Sequence, residues 1–207
     1  MMFRKVFSLL LLVGLSACSL TDLAGEPPSL YQLAAPKSAS EAVAPVLKDQ
    51  LLIDVPMASA GIDSPRVALK QADGTLGYFR DVSWTDRVPV MYQTLLVDSF
   101  DNSGRLPAVG RENVGLRADY LLKTDLASFE ADYTGGKPPL VRVSLRAKLI
   151  VMPRRIIVAN QGFAAEVKVE GEEMGQISAA FQQASDQVLR QLVVWTLAEI
   201  EARKGQP

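Results

Sequence analysis

Apolar and polar residues alternate most regularly in the second half of the chain, over residues 141–151. Apolar side chains occupy every odd position there, and the positions between them include Arg142, Ser144, Arg146 and Lys148. Strict alternation predicts a strand with one buried face and one face in water, as in an antiparallel sheet that is covered on one side. Residues 118–126 alternate as well, and a change of phase before Phe129 predicts a β-bulge.

Shorter apolar runs predict further strands and the turns between them. Asp73 and Gly74 separate two of these runs, and an Asp-Gly pair in this position is a strong hairpin signal. Residues 134–138 supply a second turn that is rich in glycine and proline. The further strands are predicted at residues 30–35, 50–55, 66–70, 76–84 and 163–170.

Two segments show helical spacing instead. Residues 87–100 carry apolar side chains three and four positions apart, which predicts a middle helix that ends before Gly104. From about residue 175 to 203 one apolar stripe recurs at helical spacing, formed by Ile177, Phe181, Ala184, Val188, Leu192 and Trp195. We therefore expect one domain of mixed α/β class, α+β in arrangement, over residues 29–207. In it a middle helix and a long C-terminal helix pack on a mostly antiparallel sheet.

The first residues have the layout of a secretory signal peptide. Arg4 and Lys5 precede an apolar run over residues 6–15 that is too short to span a bilayer. The run ends in a motif that resembles a bacterial lipobox, in which the last residue receives acyl chains such as palmitate: Leu15, Ser16, Ala17 and Cys18. We predict a signal peptide at residues 1–17, lipid attachment at Cys18, and a tether at residues 18–28.

The residue after the lipobox bears on sorting. Lipoproteins of Gram-negative bacteria that stay in the inner membrane commonly carry an aspartate directly after the lipidated cysteine, and here Ser19 occupies that position. The sequence therefore predicts export to the outer membrane, with the domain on its periplasmic face.

Composition excludes most common catalytic and metal-binding sites. The chain has 207 residues with no histidine and one cysteine. Ser-His-Asp and Cys-His catalysis, histidine-ligated metals and intrachain disulfides are therefore excluded. The 22 basic and 23 acidic side chains give a net charge of −1, which does not favour binding to nucleic acid. We expect no metal and no cofactor.

Three sets of residues are candidates for function. Four carboxylates along one predicted strand would be the acids of an envelope hydrolase: Asp119, Asp125, Glu130 and Asp132. Two other sets favour contact with a partner protein or with anionic headgroups. The first groups aromatic and basic side chains at Tyr78, Arg80 and Trp84, and packing in the core is its competing interpretation. The second is a basic stripe at Arg142, Arg146 and Lys148, and an ordinary solvated strand face is its competing interpretation.

The combined pattern resembles the ABC-type transport auxiliary lipoprotein family. The features that carry the resemblance are the lipobox, a short strand at residues 30–33, an apolar strand before Pro56, the Tyr78-Phe79 pair with Trp84 downstream, and the long final helix that contains Trp195. The resemblance covers residues 28–203. It implies a compact α/β domain with a mostly antiparallel sheet and a role in lipid trafficking across the bacterial envelope.

The resemblance also implies partners. Family members act beside an ABC permease and ATPase and a mammalian-cell-entry (MCE) domain protein that bridges the periplasm. We therefore expect a lipid-anchored, non-enzymatic protein that docks onto such a bridging partner, and self-association is left open. The alternatives are an outer-membrane assembly lipoprotein that binds a β-barrel or a lipopolysaccharide carrier, and an envelope hydrolase that uses the strand carboxylates.

Overall fold

The computed structural model describes residues 27–37, 46–115 and 117–203. The predicted signal peptide, the lipobox, Ser19 and most of the predicted tether lie outside these ranges. Two helices are present in the described residues, α1 (Val88–Ser103) and α2 (Met174–Ala202), together with a short 3-10 helix at Glu112–Val114. The strands are β1 (Ser29–Tyr31), β2 (Gln50–Ile53), β3 (Met57–Ala58), β4 (Arg66–Lys70), β5 (Leu76–Trp84), β6 (Ala108–Arg111), β7 (Tyr120–Asp132), β8 (Leu140–Val151) and β9 (Ile156–Lys168).

The nine strands form one mixed sheet that is organised around β7. One edge of β7 pairs with β8 along its whole length, and β8 pairs in turn with β9; both pairings are antiparallel. The other edge of β7 pairs with β2, β3 and β4 in succession, all in parallel orientation. The long ladders are thus antiparallel, and the shorter strands add parallel pairs, which confirms an α+β single domain.

Both helices cover the same face of this sheet. The odd-numbered residues of β8 from Val141 to Leu149 are buried, and they belong to one apolar cluster with the inward stripes of α1 and α2. The predicted stripe of α2 lies in this cluster; Trp195 is partly buried and packs edge-on against Phe163, with 5.6 Å between ring centroids. We call the face of β7, β8 and β9 that neither α1 nor α2 covers the outer face.

Four aromatic rings tie the sheet to both helices. Trp84 of β5 and Phe129 of β7 contact Phe181 of α2, with ring centroids 5.2 Å and 4.8 Å away. Tyr92 of α1 meets Phe129 edge-on at 5.9 Å. All four side chains are at most 1% exposed. Edge-to-face and tilted pairs of this kind add to the stabilisation from burial.

The boundaries of the elements confirm several local predictions. The register between β7 and β8 shifts between Leu126 and Ser128, where the change of phase predicted a bulge. Helix α1 ends at Gly104, whose φ of 62° is readily adopted by glycine. Helix α2 begins at Met174, close to its predicted start at about residue 175. A capping box, which was not predicted, stabilises this end: Glu173 and Gln176 exchange side-chain and backbone hydrogen bonds.

Other boundaries differ from the predictions. Strand β1 ends at Tyr31, because the backbone of Ala34 leaves the sheet and forms two hydrogen bonds with the side-chain amide of Gln182 on α2. Strands β3 and β6 were not predicted, since two and four residues are too few to show a period. Strand β9 begins at Ile156, seven residues earlier than predicted.

In the part of the chain that the structure describes, neither helix is both long and apolar enough to cross a membrane.

We expect Phe181→Ala to lower the free energy of unfolding by about 3–5 kcal/mol, because the truncation leaves a cavity between the sheet and α2. Val194 lies on the same helix and is 69% exposed, so Val194→Ala should change stability by less than about 0.5 kcal/mol. Urea unfolding followed by the fluorescence of the tryptophans measures both. Equal effects of the two substitutions would contradict the packing of α2 on the sheet.

Candidate interaction surface

The basic stripe lies on the outer face, as the alternation predicts, but most of its charge is neutralised. Arg142 Nε lies 2.9 Å from Asp132 Oδ2, and a second nitrogen of the same guanidinium pairs with Glu166. Lys148 Nζ lies 3.5 Å from Asp125 Oδ2. Arg146 is exposed opposite Gly162 of β9 and forms no ion pair with any described residue. Arg146 is thus the member of the stripe that is best placed to meet a partner's anionic group.

The aromatic and basic set on β5 is divided between two faces. Tyr78 is half-buried and lies on the same face of β5 as Arg80. The guanidinium carbon of Arg66 lies 3.7 Å from the centre of the Tyr78 ring, and the Tyr78 hydroxyl donates a hydrogen bond to the carbonyl of Gly61. Arg80 is exposed. Trp84, however, is 1% exposed and belongs to the aromatic core. Placing Trp84 on a partner surface was therefore wrong.

A local distortion of β5 explains this correction. Simple alternation puts residues 78, 80 and 84 on one face of the strand. Asp81 has a φ of 56°, and the register between β4 and β5 shifts between Arg66 and Ala68. The change of phase at Asp81 turns the residues that follow, so that Trp84 points into the core.

The four strand carboxylates do not converge on one site. Asp119 and Asp132 lie at opposite ends of β7, about 40 Å apart at 3.3 Å per residue. Asp119 accepts a hydrogen bond from the backbone N–H of Gln50, and Asp125 pairs with Lys148. No group of three or more metal-ligating side chains occurs among the described residues.

Glu130 and Asp132 are the nearest pair on one face, and their environments differ. Asp132 lines a cleft of about 360 Å³ beside the turn at residues 134–139, whereas Glu130 is not among the residues that line it. Burial pushes the pKa of Asp132 upward, but hydrogen bonds from Thr134 and the charge of Arg142 outweigh it, so the pKa is lowered. Burial and the charge of Asp132 raise the pKa of Glu130. Both carboxyls thus take part in local structure, and they do not face a common substrate cleft.

One feature at the end of the sheet was not predicted from the sequence. A small cluster of buried apolar residues, separate from the main core, is formed on the side of the outer face by Leu52, Leu121 and Ile150, with Ala118 and Met152 packed against it. Ile157, near the start of β9, pairs with Ile150 of this cluster, and both Ile157 and its neighbour Ile156 are exposed. The signal in the sequence is the run Arg154-Arg155-Ile156-Ile157, in which neighbouring apolar residues break the alternation.

Comparison with known proteins identifies the family. The family model for the ABC-type transport auxiliary lipoprotein component matches residues 31–193. The chain belongs to this family. The match confirms the resemblance seen in the sequence: the family is that of auxiliary lipoprotein components of ABC-type transport, and it is not known for enzymes.

The chain is also similar to individual proteins. A crystal structure of protein XCC0632 from Xanthomonas campestris is 30% identical, covers 84% of this chain and 97% of its own, and superposes with a TM-score of 0.78. A second solved structure, of an uncharacterised protein, shares the fold at 15% identity, with a TM-score of 0.65 over 83% of this chain and 99% of its own. The uncharacterised protein bll6063 from Bradyrhizobium diazoefficiens is 27% identical over 170 residues. That alignment covers 82% of this chain and 45% of bll6063, so the chain spans less than half of that relative.

We expect Glu130→Gln to stabilise the domain increasingly as the pH rises from about 4 towards 7. The raised pKa of Glu130 means that its contribution to stability is complete below the unfolded-state pKa and is lost as the pH rises through the folded-state pKa. The glutamine stays neutral and avoids this loss. Urea unfolding of both proteins across this pH range gives the difference.

Asp132→Asn provides a control of opposite sign. Because the pKa of Asp132 is lowered in the folded protein, its ionised carboxylate stabilises the fold at any pH above the unfolded-state pKa. This stabilisation is lost as the pH falls through the folded-state pKa. This variant should be destabilised at pH 7 and approach wild type in acid. A pH-independent effect of Glu130→Gln would contradict the buried environment of that carboxyl.

Proposed function

We propose that the chain is an outer-membrane-anchored periplasmic lipoprotein that serves as the auxiliary component of an ABC/MCE lipid transport system. The observation that carries the proposal is the family match over residues 31–193. The lipobox ending at Cys18 supports the lipid anchor, and Ser19 after it supports sorting to the outer membrane. The cargo we propose is phospholipid, and the partners are an MCE-domain protein that bridges the periplasm and an ABC permease with its ATPase.

The proposed mechanism is docking without chemistry on a substrate. Acyl chains confine the domain to the membrane surface and raise its effective concentration for a bridging partner. The described carboxylates of β7 are engaged in hydrogen bonds and ion pairs, such as that of Asp132 with Arg142, and this supports a non-enzymatic role. The exposed cation of Arg146 on the flat outer face supports this face as the contact surface for an acidic patch of the MCE partner.

We expect Cys18→Ala to leave the precursor unprocessed and without acyl label, because the thiol that receives the lipid is gone. Ser19→Asp should be lipidated and folded but retained in the inner membrane. In a strain whose deletion of this gene weakens the outer-membrane barrier, neither variant should restore resistance to detergent. Radioactive palmitate labelling, membrane fractionation and dye uptake measure these outcomes.

The amide variants of the four carboxylates are the matched controls for this experiment. Replacing Asp119, Asp125, Glu130 or Asp132 singly by the amide should leave the barrier restored, since no proton transfer is proposed. If Ser19→Asp complements fully while one amide variant does not, docking at the outer membrane is wrong and the envelope hydrolase is favoured.

We expect Arg146→Glu to reduce co-purification of the MCE-domain partner about ten-fold, because charge reversal at the contact costs on the order of 1.4 kcal/mol or more. Lys37→Glu is the matched control, since Lys37 is exposed beside α2, away from the outer face. Affinity capture of the lipidated protein from detergent-solubilised envelopes, with the partner quantified by immunoblot, measures both. Equal recovery with both variants would exclude the outer face, and recovery of a β-barrel assembly protein in place of the MCE partner would favour the assembly-factor alternative.

A further inference from the structure

Strands β8 and β9 form a hairpin whose end carries exposed apolar side chains. We define the hairpin tip as residues 152–157, which are the four residues between the two strands and the first two residues of β9. Ile156 and Ile157 are 52% and 54% exposed, and no described element covers them. Exposed β-branched apolar residues at the edge of a sheet favour unwanted association, and natural edge strands avoid them unless they serve contact with a partner or a membrane.

The two isoleucines of the hairpin tip lie on opposite faces of the sheet. Ile157 pairs across the ladder with Ile150, which belongs to the apolar cluster on the outer face. Ile156 pairs with Val151, which packs against the main core on the helix-covered face. A sheet that is covered on one side normally presents polar residues on its other side. An end that is apolar on both sides suits a surrounding apolar medium better than a single flat contact.

Positive charge accompanies these isoleucines. Arg154 and Arg155 directly precede them and are exposed. Arg155 lies 3.3 Å from Glu112 Oε1, whereas Arg154 has no ion pair with any described residue. Arg117 is also exposed and precedes Ala118, which packs against the apolar cluster. Aliphatic side chains bounded by arginines match a bilayer interface, where methyl groups enter the acyl region and guanidinium groups stay at the phosphates.

We propose that the hairpin tip docks onto the surface of an anionic phospholipid bilayer, as a second membrane contact beside the acyl chains. The proposal rests on the lipid anchor at Cys18 that is proposed above. Ile156 and Ile157 enter the interface, and Arg154 binds the phosphates of anionic lipids. The anchor then supplies attachment, and the tip fixes how the domain stands on the membrane.

The length of chain before the domain permits this contact. Strand β4, through which β5 and β1 join the sheet, pairs with the end of β7 at Ala131 and Asp132. The tip borders the other end, where Val151 pairs with Tyr120. The ladder between these ends is about 40 Å long at 3.3 Å per residue. Ten residues lie between Cys18 and Ser29, and the eleven residue-to-residue steps of an extended chain span up to about 40 Å.

A protein partner fits the hairpin tip less well. A stable protein interface buries about 800 Å² on each partner, usually across a broad surface. The tip has six residues, and its two exposed isoleucines lie on opposite sides of the hairpin. Both isoleucines can enter a fluid interface at once, whereas a protein surface would need a cavity that encloses the tip.

The test is to measure whether a probe at the tip is in lipid. Lipidated full-length protein that carries Ile157→Cys is purified from membranes, labelled with bimane and reconstituted into vesicles of phosphatidylglycerol and phosphatidylcholine that contain brominated acyl chains. The native cysteine does not react when lipid occupies its sulfur, so the label reports position 157. We expect a blue-shifted emission and strong quenching by the brominated lipid.

Two matched variants control the measurement. Leu76→Cys places the label on an apolar strand end of similar exposure, 47%, at the opposite end of the sheet, and should show no quenching. Arg154→Gln should lower the ratio of inserted to water-exposed label at position 157 about five-fold in anionic vesicles, whereas Arg80→Gln should leave it unchanged. Vesicles of phosphatidylcholine alone should give weak quenching.

Several outcomes would overturn the proposal. Equal quenching at positions 76 and 157, or none at 157 while the protein stays on the vesicles, means that the tip does not contact lipid. A label that is unquenched in vesicles but shielded from iodide in native envelopes means that a protein covers the tip. Protein that leaves the vesicles, with Cys18 open to the label, means instead that the acyl anchor itself is absent. Circular dichroism of each variant confirms that the fold is retained.

Discussion

Contact between Phe129, Phe181, Trp84 and Tyr92 is the constraint on which the rest of this domain depends. The four rings come from two strands and from both helices, so their packing fixes α1 and α2 on one face of the sheet at once. The interior between the helices and the sheet is packed with these rings and with the buried stripe of β8. Neither α1 nor α2 covers the outer face, so that face is open to contact with other molecules.

The elements that could be predicted are those that repeat a pattern many times. Strand β8 and helix α2 each bury one side of a long element, and burial imposes a period of two on the strand and of 3.6 on the helix. Strand β3 has two residues, and its place beside Asp125 and Leu126 is set by β7, so its own sequence carries no period. The start of β9 escaped prediction for another reason. Ile156 and Ile157 are neighbours that are both apolar and both exposed. Apolar and polar residues therefore do not alternate at this end of the strand, and the pattern that predicts a strand is missing.

The candidate surface was predictable only as far as the strands are regular. Along β8 alternation holds without interruption, and the basic stripe lies where it was expected on the outer face. Along β5 the left-handed residue Asp81 shifts the phase, and Trp84 passes from the predicted surface into the core. Which basic side chains are neutralised was harder still to predict, because the acidic partners lie on neighbouring strands of the sheet. Asp132 and Glu166 reach Arg142 from the two flanking strands, and a single sequence does not reveal this pairing.

The distribution of charged and apolar residues on the outer face suggests that its middle and its end contact different molecules. Its middle is flat and polar, with Gly162 and Ala164 of β9 beside Arg146 and Ser144 of β8. Its end carries the hairpin tip, next to the buried apolar cluster of Leu52, Leu121 and Ile150. If that end meets the membrane, the sheet stands upright on it, and the flat middle faces sideways at a height of roughly 15–20 Å, half the length of the ladder. A partner that approaches along the periplasm would then meet Arg146 without displacing the lipid contact. One sheet face can thus hold the domain upright and present it to a partner, because the two contacts use different segments of the same strands.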